Sequence, residues 1–339
     1  MLDTNYSALR IISENPKNVF INEEALERFA YEASGKELKA PEWREPIFPQ
    51  QDDQAFVQFI GVVNSINFCF TDFKTGGKYD VEYPEGSGKI WTGAFAMTAA
   101  IKRALDDGFP VLDPQFLLKL DEQTLAQIFR HKTIPIPMLK QRLINLNNVG
   151  LVLVDKGIDF YDIFCDEGFY IKPPSGDRRV GIVNMLTNYF GCYNWDIGIW
   201  EYEGKSYAIR FNKRANLLAM VYHGRAMSSS GRLPPLNDPH NLYPVADYQV
   251  PRALRHLKVL RYSRELEDII DNHLLVTSNS DYEVEIRGQT VNAMMGVVQK
   301  INKFRPRDNK VTMIEPDYYV WGFGRKADKP HHYTFTTAY

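Results

Sequence analysis

AFVQFIGVVNSINFCF, residues 55–70, is apolar on nearly every face when wound at helical pitch. A helix of that kind is stable only when surrounded, so the stretch predicts a central helix with Asp52 or Asp53 as its N-cap. Upstream, the connector PEWREPIFP (41–49) is rigid and extended and carries one large aromatic, Trp43. Before the connector, Asn22 caps a helix with Glu23 and Glu24 in its first turn, and Gly35 ends it. Downstream, KYDVEY, the glycine-rich EGSG and KIW give a β-hairpin signal within 71–93. Helical patterns follow at 92–107 with Gly108 as the stop, at EQTLAQIFR behind Asp121, at MLKQRLINLNNVGLVLV after the TIPIP break, and again after Asp177. NWDIGIWEYEGKSYAIRF (194–211) alternates on both sides of Glu203 and Gly204, the clearest hairpin in the chain, and leads into the helix KRANLLAMVYHG. SSSGRLPPLNDPH (228–240) is loop by composition, Ser263 starts RELEDIID, 278–302 is one long helical pattern, and Asp317 begins DYYVWGFG. No strand–helix–strand alternation occurs, which excludes a Rossmann or barrel architecture. The expected fold class is mainly α with small antiparallel β-hairpins (α+β), as one domain over 1–339 with a hairpin insertion near 194–211.

At 339 residues, 44% hydrophobic and 24% charged, the composition excludes a disordered chain. A formal charge of −2 provides no broad positive field for duplex nucleic acid or an anionic membrane, so a small ligand or a protein partner is expected. Cys69, Cys165 and Cys192 lack CxxC spacing and read as buried free thiols in a reducing compartment. The N-terminal MLDTNYSALRIISENPKN has neither a basic n-region nor a long apolar core, and no run approaches the ~20 apolar residues of a membrane span. A cytoplasmic protein is the expectation. The histidines are scattered, with His331 and His332 in a polar tail, and no metal site is indicated. A Gly-rich phosphate loop, HExxH and GxSxG are all missing, and no cofactor is expected.

Within YPVADYQVPRALRHLKVLRY (243–262), Asp247 lies among Val245, Ala246, Tyr248 and Val250. It either caps the following helix, the ordinary use of such an Asp, or is held in a pocket where its charge acts. Asp317 carries the same ambiguity, and its i,i+4 spacing to Trp321 sets an acid beside a large aromatic, a frequent way to hold a flat heterocycle. Lys213 and Arg214 end a strand and open a helix, where they form either a solvated helix end or a phosphate site. Glu283, Glu285 and Arg287 in YEVEIRG read as structural ion pairs.

INFCF, RALDDGFP, KQRLINLNNVG, FNKRANLL, VADYQVPRALRHLKVLRYS, DYEVEIRG and DYYVW occur in the order seen in the queuosine salvage family, which the chain resembles over nearly its whole length. The resemblance implies a fold similar to helical DNA glycosylases and hydrolysis of the glycosidic bond of queuosine 5′-phosphate, releasing queuine for reinsertion into tRNA. It assigns the catalytic acid to Asp247, a substrate contact to Val245, and the pair that holds the base to Asp317 and Tyr318. The retained NFxF adds Asn67 and Phe70, and Lys213 or Arg214 is the candidate for the 5′-phosphate. Three positions depart from the family pattern. Gly322 replaces an acid after Trp321, Thr71 replaces a Trp, and a histidine expected in the early connector is missing, with Glu45 and Ile47 its nearest candidates. The implied partners are queuosine 5′-phosphate and queuine, with no direct nucleic acid, no membrane, and a monomeric chain. The departures leave open a non-catalytic queuine or nucleotide binder, and the implied fold leaves open a glycosylase of nucleic-acid bases, against which the near-neutral charge speaks.

Overall fold

Residues 4–339 are described by the computed structural model; Met1 to Asp3, the start of the stretch read above for a leader, lie outside it. The fold is mainly α with small antiparallel strand pairs. The central helix is Gln54–Ser65, capped by the Asp53 carboxylate, which accepts the Phe56 N–H at 3.1 Å, and every residue of 56–65 is buried. It ends short of the predicted 70. The carbonyls of Ser65, Phe68 and Cys69, which a further helical turn would use, instead accept from buried guanidinium groups, Arg214 for Ser65 and Arg142 for the other two. These arginines hold 66–70 in an irregular path with Cys69 at φ 41°. Around the central helix pack Ala94–Asp106, Leu139–Lys156, Phe160–Asp166 and Lys213–Met227.

The hairpin Ile197–Tyr202 with Lys205–Arg210 turns at Glu203 and Gly204, both at positive φ, as a two-residue hairpin requires. Its inner face joins the N-terminal helix Thr4–Glu14 and the long helix Asp281–Phe304 in a smaller apolar cluster of Leu9, Ile12, Trp200, Ile209, Phe211 and Val284. A second hairpin pairs Asp80–Glu82 with Ile90–Thr92. The third pair is remote in sequence, Val19–Ile21 with Leu260–Tyr262.

Three expectations are corrected. The tail carrying His331 and His332 is not a polar extension. Both histidines are buried, Tyr248 packs on both rings, and the tail is pinned where the Cys69 N–H donates to the Tyr339 carbonyl at 2.9 Å. Tyr333 and Tyr339 of the same segment are buried with them. Cys69 and Cys192 are buried, but Cys165 is exposed. The helix containing Asp317 is Ile314–Gly324 and starts one residue after Met313, so Asp317 lies inside its first turn and caps nothing.

Arg287 forms the expected ion pair with Glu283 (3.5 Å) and a closer one with Asp196 (2.6 Å), and its Nε donates to the Ala246 carbonyl at 3.1 Å. Glu285 instead accepts the backbone N–H groups of Lys17, Asn18 and Val19. With both of its acids buried, Arg287→Met leaves two uncompensated carboxylates, and a loss of ~3–5 kcal/mol is expected, read as a lowered thermal midpoint. Among the described residues, no helix is long and apolar enough to cross a membrane.

Candidate active site

Asp247 stands just ahead of the helix Gln249–His256, whose Pro251 needs no hydrogen-bond acceptor in the first turn. Its Oδ1 accepts the N–H groups of Gln249 at 2.7 Å and Val250 at 3.0 Å. The residue therefore caps the helix, and it also lines a cleft, so the two readings of its position are compatible. Burial pushes its carboxyl above the usual range, while Lys213, the two N–H groups and Arg287 oppose that shift.

The cleft has two chambers that share Asn67, Ala94, Phe95, Lys213, Asp247 and Trp321. The first spans about 800 Å³ including its mouth and is walled mainly by apolar and aromatic side chains, the usual character of a small-ligand site. Tyr318 stacks on Trp321 with centroids 5.8 Å apart and meets Trp43 edge-on at 5.6 Å. Trp43 is held there by Arg225 of the Lys213–Met227 helix, which donates to the carbonyls of Glu42 (3.0 Å), Pro49 (3.1 Å) and Trp43. Asp317 reaches the same chamber, its Oδ1 accepting the Val245 N–H at 2.9 Å. Burial, reinforced by the charge of Asp247 and partly offset by the Val245 N–H, pushes the Asp317 carboxyl up to about 8. Of the two acids, Asp317 is the one more readily protonated and Asp247 the one better supported as an anion.

Lys213 opens its helix with its backbone N–H on Asp196 Oδ2 (2.7 Å), and its Nζ donates to the Asn67 carbonyl (3.2 Å) and Oδ1 (3.3 Å). Burial brings its ammonium down to about 8 against the pull of Asp247. The second chamber, about 640 Å³ with its opening, is more polar and includes Phe70, Thr71, Lys78, Gln249, Arg325 and His331.

Asn67, Lys213, Val245, Asp247, Asp317, Tyr318 and Trp321 thus meet in the first chamber, and Phe70 lies in the second. Arg214 is the exception. Its guanidinium turns into the core, donating to the Ser65 and Cys192 carbonyls, and is no phosphate ligand. Of the two candidates for the missing histidine, Ile47 is buried in the core. Glu45 has one carboxylate oxygen buried with no hydrogen-bond partner, and its charge, after burial, raises the Tyr318 phenol. At Gly322, a side chain would meet open space.

The family model described as queuosine salvage protein matches residues 47–339. The chain belongs to that family. A Sphaerobacter thermophilus protein named queuosine 5′-phosphate N-glycosylase/hydrolase is 28% identical over 333 residues, 97% of this chain and 96% of its own. Proteins of the same name from Bos taurus, at 27% identity over 93% of this chain and 91% of theirs, and from Dictyostelium discoideum, at 28% over 97% and 96%, are similar throughout. The resemblance thus extends upstream of the region matched to the queuosine salvage family and takes in Trp43.

Sequence reasoning missed Lys78, Phe95 and Arg325 as cleft residues. Lys78 opens the strand pattern KYDVEY and Phe95 is the second residue of the helix that begins after Gly93, but neither feature marks a ligand contact until the tail and the Ile314–Gly324 helix are brought against them.

Proposed function

We propose that the chain is an N-glycosidase that hydrolyses queuosine 5′-phosphate to queuine and ribose 5-phosphate. The observation that carries this reading is the position of Asp247, an acid at the junction of an aromatic chamber and a basic one. Cleavage of an N-riboside passes through an oxocarbenium-like sugar, and an anion fixed beside the anomeric carbon stabilises that cation. Two N–H bonds to Oδ1 orient the Asp247 carboxylate and leave Oδ2 for the sugar or its attacking water.

The base is a 7-deazaguanine with carbon in place of N7, so the usual protonation site is missing and negative charge must be met elsewhere on the ring. Asp317, neutral at pH 7 and with Oδ1 committed to Val245, presents Oδ2–H to the departing base. The C1′–N9 bond breaks, the base takes the Asp317 proton, water adds its oxygen to C1′, and the proton released by water restores Asp317. Tyr318, Trp321 and Trp43 hold the flat ring. Glu45 supplies a carboxylate for the cationic amine of the queuine side chain.

The substrate is a free nucleotide rather than nucleic acid, in keeping with a net charge of −2. Incubation of the purified chain with queuosine 5′-phosphate, followed by mass spectrometry, is expected to detect free queuine accumulating over many turnovers. Intact nucleotide retained on the protein with no base released would make it a binder instead.

A further inference from the structure

Asp247 follows a segment without regular structure, whose peptide groups are held from different elements. The Val245 N–H donates to Asp317 at 2.9 Å, and the Asp247 N–H turns back to the Val245 carbonyl at 3.0 Å. The Ala246 carbonyl between them accepts Arg287 Nε at 3.1 Å. Arg287 belongs to the helix Asp281–Phe304, behind the cleft, and lines neither chamber. Its guanidinium packs on the rings of Phe211 and Tyr339, with Cζ 4.0 and 4.4 Å from their centroids, and its Nη1 meets Asp196 and Glu283. Two rings, two acids and one carbonyl thus define where it points.

Asp196 has a second task. Its Oδ2 accepts the N–H of Lys213, the first residue of its helix, at 2.7 Å, and its backbone carbonyl accepts the Phe211 N–H at 3.0 Å. The pair Arg287–Asp196 therefore joins the backbone just ahead of Asp247 to the backbone that begins the Lys213 helix. Lys213 and Asp247, the two charges so joined, each favour the ionised form of the other. As a device for stability alone the pair is a poor one. Asp196 Oδ1, although 2.6 Å from Nη1, makes no aligned hydrogen bond, and Arg287 Nη2 is buried without an acceptor. Buried ion pairs with incomplete hydrogen bonding are often matched or exceeded in stability by neutral side chains of similar volume, so what this pair contributes is geometry.

We infer that Arg287 and Asp196 are positioning residues of the glycosidase reaction, a clamp that fixes the backbone carrying Asp247 relative to the backbone carrying Lys213. The inference rests on the glycosidase reading above. A carboxylate that stabilises a cationic sugar acts at one distance from the anomeric carbon, and a displacement of ~1 Å costs on the order of 100-fold in rate.

Two variants test the clamp. Arg287→Met combined with Asp196→Asn and Glu283→Gln removes the guanidinium together with both charges it balances, so no buried carboxylate is left unpaired. Arg287→Lys keeps a positive charge beside both acids, but one ammonium cannot reproduce the fork that holds Asp196 and the Ala246 carbonyl together, and this variant tests the clamp even where the triple variant folds poorly. Each is expected to bind queuine in calorimetry with wild-type stoichiometry and to keep its KM for queuosine 5′-phosphate, while kcat falls ~10–100-fold. Amide hydrogen exchange gives a readout that needs no turnover. The Asp247, Gln249 and Val250 N–H groups are expected to exchange roughly 10-fold faster in the variants, with the central helix Gln54–Ser65 as protected as in wild type. Wild-type kcat in either folded variant, or faster exchange spread evenly over the whole chain, overturns the clamp. Local loss of protection with no base release by the wild-type chain keeps the clamp and removes the glycosidase; base release with kcat and exchange unchanged in the variants does the reverse.

Discussion

Asp247→Asn folds as the wild type does and loses at least ~100-fold in the rate of queuine release, the scale set by removing a central electrostatic stabiliser. The substitution separates the two tasks of this residue. Asn is as good an N-cap as Asp, so its carbonyl oxygen can still accept the Gln249 and Val250 N–H groups. What disappears is the charge facing the sugar. Asp247→Ala removes the cap as well and costs about 1 kcal/mol of stability in addition. Single-turnover release of queuine, read beside a thermal midpoint, distinguishes the effects. Wild-type-like release by Asp247→Asn would remove the residue from the chemistry.

The second large effect is on pH dependence. Queuine release should climb with pH while Asp247, raised by its burial, becomes ionised, and should fall as pH passes through about 8. Asp317 gives up its proton there, and Lys213 gives up its charge in the same range, so the fall combines two groups and the logarithm of the rate steepens toward a slope of −2. Asp317→Ala leaves the departing base without a donor and lowers kcat ~100-fold at pH 7. Asp317→Asn keeps an N–H donor that does not titrate, recovers part of the loss, and leaves the slope of a single group. A wild-type profile flat between pH 7 and 9, or full activity in Asp317→Ala, would exclude the neutral-donor role.

Much of the fold was legible because it is encoded locally. Caps at Asn22, Asp53, Asp121 and Ser263, and the turn at Glu203 and Gly204, are decided by residues within a few positions of one another. What escaped is nonlocal. The pairing of Val19–Ile21 with Leu260–Tyr262, and the docking of the tail on Tyr248, depend on shape complementarity across the chain, which periodicity does not carry. The site divides the same way. Asp247, Asp317, Tyr318 and Trp321 stand out as acids and aromatics in apolar surroundings. Arg214 was misread because an arginine beside a lysine at a helix start resembles an anion site, and only the fold reveals the carbonyls it holds. Lys78 and Arg325 look like ordinary surface cations until the fold brings two residues so remote in sequence to one chamber.

Gly324 closes the helix that carries Asp317, and a Cβ there would lie 2.3 Å from the Gln249 carbonyl oxygen, in the first turn capped by Asp247. Backbone thus meets backbone with no compliant side chain between them. The relative placement of the two acids depends on a close backbone packing contact between their helices. A side chain at position 324 would force the helix that carries Asp317 away from the turn that Asp247 caps.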